Sequence, residues 1–267
     1  MPQTIPITDP SDPRIVAFRD IRERDLVGRD GRFIAEGEVV LNAMARAGRH
    51  PLASVLIADK RLDGLAEVLD ALPGRPTVFT AGQQVMDAIV GFHIHRGILA
   101  LGEPVAPPSP EALLATAPER AVALLLFGIG NHDNMGGIFR NAAAFGAHAV
   151  LLAADCCDPL YRKAIRVSVG AVLTTPWARL EPDADPVGLL ERHGFQPLAL
   201  SPAGGTVLAR LTPPPRAAVL LGSEGPGLPP ELMARARTVA IPMAGDFDSL
   251  NVATTSGIVL HQLRFGG

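Results

Sequence analysis

Apolar positions along the chain fall into two rhythms, one of about 3.6 residues and one of short unbroken runs. Residues 1–13 show neither rhythm; prolines among Thr, Ser and Asp describe a loose arm. From Arg14, the recurrence of Ile15, Phe18 and Ile21 among charged residues predicts an amphipathic surface helix. A short strand over 33–35 precedes a helical stripe of Val39, Val40, Ala43, Met44 and Ala47, which Gly48 ends. Strands over 52–58, 77–79 and 98–101 then alternate with helices over 62–72 and 83–89. This is the pattern of a compact α/β unit.

Four prolines within 104–110 exclude a regular element and favour stiff, extended backbone. They predict a first domain over 1–103, a linker over 104–110 and a second domain over 111–267. The second domain opens on an apolar run over 121–127 that does not alternate, the mark of a strand covered on both faces in a parallel sheet. Asn134 is positioned to cap the next helix, whose inward stripe is Ile138, Ala142 and Phe145 and whose end is Gly146. Further strands are predicted over 149–153, 198–200, 217–221 and 239–242. Ser249 is expected to cap a last helix with Leu250, Ala253, Ile258 and Leu260 facing inward. Val252, Val259 and Leu263 are apolar positions beyond what one buried face needs. The chain has no internal repeat.

Composition narrows the picture. Hydrophobic residues make up 48% of the 267 positions and charged residues 19%, which fits a well-cored protein and not a disordered one. A net charge of −3 excludes polyanion binding driven by bulk charge but leaves room for a local basic patch. Cys156 and Cys157 are adjacent and have no third cysteine, so neither a disulfide framework nor a zinc site is expected; reduced, packed thiols are. No signal pattern and no apolar run near the ~20 residues of a membrane span is present. A cytoplasmic protein without metal is the expectation.

Three stretches carry candidate chemistry, each following an apolar run. In the first, Gly136 and Gly137 allow close backbone approach at a helix start, and Arg140 lies off the apolar stripe, where it could meet a phosphate or a developing alkoxide; a capping Asn and a surface Arg are the plainer reading. In the second, three glycines and Pro226 over 222–227 build a tight loop around Glu224. That loop lacks the Gly-Lys-Ser/Thr ending of a P-loop and the spacing of a dinucleotide fingerprint. In the third, Ile241-Pro242-Met243 precedes Ser249-Leu250-Asn251-Val252 at a helix start.

Together these stretches resemble the three signature motifs of the SpoU (TrmH-type) branch of the SPOUT RNA methyltransferases. Asn134, Gly136 and Arg140 match Asn-x-Gly-x-x-x-Arg; Gly222, Glu224, Gly225 and Gly227 match Gly-x-Glu-Gly-x-Gly; residues 241–243 and 249–252 match Ile-Pro-Met and Ser-Leu-Asn-Val. The segment Arg166-Val167-Ser168-Val169-Gly170-Ala171 is also similar to one these enzymes carry. The chain departs from many relatives at His132, where they have proline, at Asp133, and in the polar run Ala253-Thr254-Thr255-Ser256. Ala35-Glu36-Gly37-Glu38 looks like part of an L30e-type substrate-binding domain.

The resemblance implies an α/β fold: a parallel sheet with a deep trefoil knot, preceded by a smaller L30e-like domain. It implies S-adenosylmethionine as methyl donor, a ribose 2′-hydroxyl of ribosomal or transfer RNA as acceptor, and a homodimer. Gly222, Glu224, Gly227, Ile241, Met243 and Leu250 are then the donor-site residues. Arg140 is the residue to stabilise the alkoxide, with Asn134, Glu224, Ser249 and Asn251 fixing it and the ribose by hydrogen bonds. A guanidinium stays protonated and is a poor general base, which leaves an RNA phosphate as a candidate proton acceptor. Two other readings stay open: a catalytically inactive RNA-binding or ribosome-assembly factor, and a small-molecule methyltransferase. The joint retention of Arg140, Asn134, Glu224 and Asn251 weighs against the first, and the separate N-terminal unit against the second.

Overall fold

The computed structural model describes residues 3–19, 31–72, 74–223, 225, 227–245 and 249–266. They form two compact units, Met1–Ala106 with Asp158–Thr174, and Pro107–Cys157 with Thr175–Gly267.

The first unit holds strands β1 (Thr4–Pro6), β2 (Phe33–Glu36), β3 (Leu52–Ala58), β4 (Thr77–Ala81) and β5 (Ile98–Gly102) and helices α1 (Glu38–Ala47), α2 (Ala66–Asp70) and α3 (Gln83–Val90). Its sheet runs β1-β4-β3-β5-β2. β1 corrects the expected loose arm: Thr4 to Pro6 pair in parallel with Val78 to Thr80. The predicted surface helix from Arg14 is a 3-10 turn, Pro13–Phe18, kinked at Ile15. Asp12 caps it by accepting from Arg14 N at 2.9 Å, and Ile15 and Phe18 are fully buried. Ile21 lies outside the described residues. The helix expected over 62–72 is broken up: two 3-10 turns, Asp59–Arg61 and Asp63–Leu65, precede α2, and Gly64 sits in the second.

The segment Asp158–Thr174 belongs to this first unit although it is remote in sequence. Its helix Arg162–Val167 packs on β2, and its turn Ala171–Thr174 packs on α1. Arg162 Nη1 donates to Glu36 Oε2 at 2.6 Å, and both side chains are largely buried. Burial lowers the Arg162 pKa, and the Glu36 carboxylate opposes that shift. The segment that resembles a family motif is therefore fastened to the Glu36 position by a buried ion pair.

The second unit contains α4 (Pro110–Ala115), β6 (Ala121–Leu126), α5 (His132–Ala144), β7 (Ala149–Leu152), β8 (Trp177–Arg179), α6 (Pro186–Arg192), β9 (Gln196–Leu200), β10 (Thr206–Val207), β11 (Arg216–Leu221), α7 (Pro230–Ala234), β12 (Arg237–Ala240) and α8 (Val252–Phe265). Pro110 opens α4 with Ser109 as its cap, because a proline at the first helical position loses no intrahelical bond. All seven strands are parallel, in the order β10-β12-β9-β11-β6-β7-β8. β11 and β6 pair along their length, Arg216 with Ala121 through Leu221 with Leu126. Leu124, Leu125, Val219 and Leu220 are fully buried, which accounts for unbroken apolar runs in both strands. β12 stops at Ala240, before Pro242, which has no N–H for a ladder.

From β6 the chain moves outward through β7 and β8, then crosses to β9 on the other side. The direction of winding reverses between β6 and β11. In a parallel α/β sheet the crevice at the carboxyl ends of the strands forms at such a reversal.

Candidate active site

The segments that follow β6, β11 and β12 leave the carboxyl edge of one parallel sheet, and they carry the three motifs, the first of them on α5. Asn131, not Asn134, caps α5: its Oδ1 accepts from Asp133 N at 2.7 Å and Asn134 N at 3.4 Å. Asn134 is thereby the third residue of the helix, buried, and free of capping duty. Its Oδ1 accepts from Asn251 Nδ2 at 2.8 Å, across 117 residues of sequence.

Asn251 in turn caps α8, its Oδ1 accepting from Ala253 N at 3.0 Å and Thr254 N at 3.2 Å. Ser249, expected as the cap, is exposed two residues earlier. The buried face of α8 is Val252, Ser256, Val259, Leu260 and Leu263, while Leu250 and Ile258 are 40% and 41% exposed. Val252, Val259 and Leu263 are therefore core positions and not spare apolar surface.

Arg140 is exposed on α5, one turn beyond Gly136 and Gly137. Gly137 marks a close contact between helices. Gly136 is buried, and a Cβ on Gly137 would stand 2.7 Å from the Ala253 Cβ of α8. Arg140 is thus carried on the helix that packs, through Gly137, against Ala253 in the first turn of α8.

The second motif folds back on itself. Ser223 and Gly227 form an isolated antiparallel bridge, with Gly227 N donating to Ser223 O at 3.2 Å. A Cβ on Gly222 would lie 2.6 Å from Leu228 N, so the returning backbone occupies the place of a side chain. Gly227 is exposed, and Ile241 and Met243 are half-buried on the third loop. Glu224 lies outside the described residues.

Several side chains that sequence reasoning passed over hold this edge together. Asp155 Oδ1 accepts from Gly128 N at 2.9 Å and joins the loops after β6 and β7. Arg179 donates to the carbonyls of Ala153, Ala154, Cys156 and Cys157. Asn141 donates to Ala253 O at 2.7 Å and to Ser256 Oγ at 3.0 Å. Only Asn131 had a local signal, a capping type followed by Asp at a helix start. The Cys156 thiol is buried, donates to Leu126 O at 3.3 Å and has its pKa raised by burial, as a packed thiol would. Among the described residues no group of three or more His, Cys, Asp or Glu is placed to hold a metal ion, and no helix is long and apolar enough to cross a membrane.

Comparison with known proteins identifies the family of this chain. The SpoU rRNA Methylase family matches residues 121–261. An uncharacterized tRNA/rRNA methyltransferase of Mycobacterium bovis is 38% identical over 272 residues, covering 98% of this chain and 92% of the relative. An AdoMet-bound rRNA methyltransferase from Sinorhizobium meliloti superposes with a TM-score of 0.83 at 24% identity, covering 98% of this chain and 97% of that one. A putative RNA methyltransferase of the TrmH family from Porphyromonas gingivalis has a TM-score of 0.76 at 26% identity, covering 95% and 98%. The fold is that of the SPOUT-type methyltransferases. The chain belongs to the SpoU rRNA methylase family.

Proposed function

We propose that this protein transfers the methyl group of S-adenosylmethionine to a ribose 2′-hydroxyl of RNA, with ribosomal RNA preferred over transfer RNA as the substrate class. The observation that carries the reading is the 2.8 Å bond between Asn251 and Asn134, which ties the third motif to the helix that bears the exposed Arg140.

The residues present fit the donor. The 222–228 loop and the stretch after β12 offer backbone and apolar surface: Gly222 against the returning chain, half-buried Ile241 and Met243, and Leu250, a large apolar side chain left 40% exposed before α8. Bound there, S-adenosylmethionine would supply an electrophilic methyl group for the ribose oxygen. Arg140 stabilises the charge developing on that oxygen, and the hydroxyl proton leaves to an RNA phosphate or to water. The Asn134–Asn251 pair sets the angle between α5 and the start of α8, and so the direction of Arg140. Ser249 and Glu224 complete the ribose contacts in this reading.

The reading extends to architecture. The second and third motif loops are threaded against each other in a trefoil knot, the first unit is an L30e-type RNA-binding domain, and the protein is cytoplasmic. A homodimer forms through the outer face of α8, where Ile258 and Phe265 are 41% and 64% exposed. Sedimentation of the full chain at micromolar concentration tests the dimer; a monomer with full activity would refute it.

A catalytically inactive RNA-binding factor is the weaker reading, because such a role does not need Arg140, Asn134, Glu224 and Asn251 retained together. The deciding experiment is tritiated-methyl transfer to matched RNA with either a ribo or a 2′-deoxy nucleotide at the target. The ribo substrate should accept the label, while the deoxy substrate should bind through its flanking phosphates and accept none. Equal labelling of both would move the acceptor to a base.

A further inference from the structure

Asn134, Gly137 and Asn141 stand at i, i+3 and i+7 on α5, one stripe along the helix. All three meet the first turns of α8. Asn134 accepts from Asn251 Nδ2, Gly137 leaves room for Ala253 Cβ, and Asn141 Nδ2 donates to Ala253 O at 2.7 Å and Ser256 Oγ at 3.0 Å. Ser256 is fully buried, and its hydroxyl also donates to Ala253 O at 2.7 Å. A Cβ on Gly257 would stand 3.2 Å from Asn141 Nδ2, so α8 closes over the amide. The polar run 253–256 thus has a partner on α5.

One hydrogen bond between two helices leaves a hinge; two bonds two turns apart leave a fixed rotation. Arg140 precedes Asn141 directly in the chain, so any rotation of α5 about the Asn134 contact would swing Arg140. On the α8 side, the same clamp holds the turn that follows Leu250 and Asn251. We infer that Asn141 is a positioning residue for methyl transfer, acting through Ala253 and Ser256 to hold Arg140 and the start of α8 in register. This rests on the functional reading above, and it assigns Asn141 no contact with donor or RNA.

The test compares Asn141→Ala and the isosteric Asn141→Asp with wild type in the full chain. Three quantities are read: thermal midpoint, S-adenosylhomocysteine affinity by calorimetry, and steady-state methyl transfer to RNA per folded molecule, well below each midpoint. Both variants should lower kcat by tenfold or more and weaken S-adenosylhomocysteine several-fold, with KM for RNA within about threefold. A purely structural role would lower the midpoint and leave kcat per folded molecule unchanged. The inference is overturned if either folded variant keeps kcat and ligand affinity within about threefold, or if neither variant folds, which would assign Asn141 to stability. A wild-type protein that binds no S-adenosylhomocysteine and transfers no methyl would overturn the functional reading first, and this inference with it.

Discussion

Asn251 Nδ2 donates to Asn134 Oδ1 at 2.8 Å while Asn251 Oδ1 caps α8, so one amide group both starts a helix and joins it to another. The two jobs separate by substitution. Asn251→Ala loses the cap and the cross-link and should cost about 1–3 kcal/mol in urea unfolding. Asn251→Asp keeps a capping oxygen that the helix N-terminus favours, but places a carboxylate against Asn134 Oδ1 with no proton between them. It should fold nearly as well as wild type and yet lose most methyl transfer. A double-mutant cycle over positions 134 and 251 should show a coupling of about 0.5–1.5 kcal/mol. Additive single effects would mean the bond contributes nothing to the fold.

Gly222 faces the backbone at Gly227 and Leu228, so the smallest side chain already collides there. Gly222→Ala should cost about 1–3 kcal/mol by forcing that backbone aside. It should also abolish S-adenosylhomocysteine binding, through displacement of the loop and not through occupation of the ligand's space. Calorimetry and thermal unfolding on the one variant decide it. Wild-type affinity in Gly222→Ala would show that the loop is not part of the donor site.

The strands of the second unit were the most legible part of the sequence, because runs such as 121–127 and 217–221 are buried on both faces and need no partner to be recognised. The caps were not. Asn131 and Asn134 are the same residue type three positions apart, and only the helix itself decides between them. Choosing Ser249 over Asn251 starts the last helix two residues early, and because apolar residues from Val252 to Leu263 lie on more than one side of it, periodicity alone does not pick the inward stripe. Hence Leu250 and Ile258 were read as inward although the core takes Val252 and Val259. Non-local pairing was invisible as well. Thr4–Pro6 becomes a strand only because β4 supplies its hydrogen bonds, and nothing local announces that Arg162 will meet Glu36. The motif residues were legible as a set through family resemblance, whereas Asn141 and Asp155 act through contacts with loops distant in sequence.

His50 makes the first unit sensitive to acid. It is buried, its Nδ1 accepts from Val105 N at 3.2 Å, and its ring meets Phe33 edge-on at 5.5 Å. Burial, followed by the nearby Arg49 charge, lowers its pKa from 6.5 to about 4. A proton on Nδ1 would also remove the acceptor for Val105. Between those two values the unfolded chain takes up a proton that the folded chain refuses. Stability should therefore fall as pH drops from 6.5 towards 4, by at most about 1.4 kcal/mol per pH unit from this group. His50→Gln retains an acceptor and does not titrate, so it should flatten this part of the stability profile. An unchanged slope in His50→Gln would assign the acid sensitivity elsewhere.

Arg140 is exposed on α5, the helix whose Asn134 accepts from Asn251. A ribose hydroxyl attacks poorly until its proton leaves, and the alkoxide then needs a positive partner fixed in place. A guanidinium stays protonated near neutral pH, so Arg140 is a poor base for that proton. Arg140 is thus assigned to charge stabilisation, and its removal should act on chemistry and not on donor affinity. Arg140→Ala should leave S-adenosylhomocysteine affinity within a few-fold and lower methyl transfer by about 10² or more, the scale for losing one anion-stabilising donor. Arg140→Lys keeps the charge but loses the planar fork, and should recover little. Fold should be unaffected in both, since the side chain is solvent-facing. Single-turnover transfer with saturating donor and RNA isolates the step. If Arg140→Lys restored full single-turnover rates, a point charge would suffice and the bidentate geometry argued for Arg140 would be wrong.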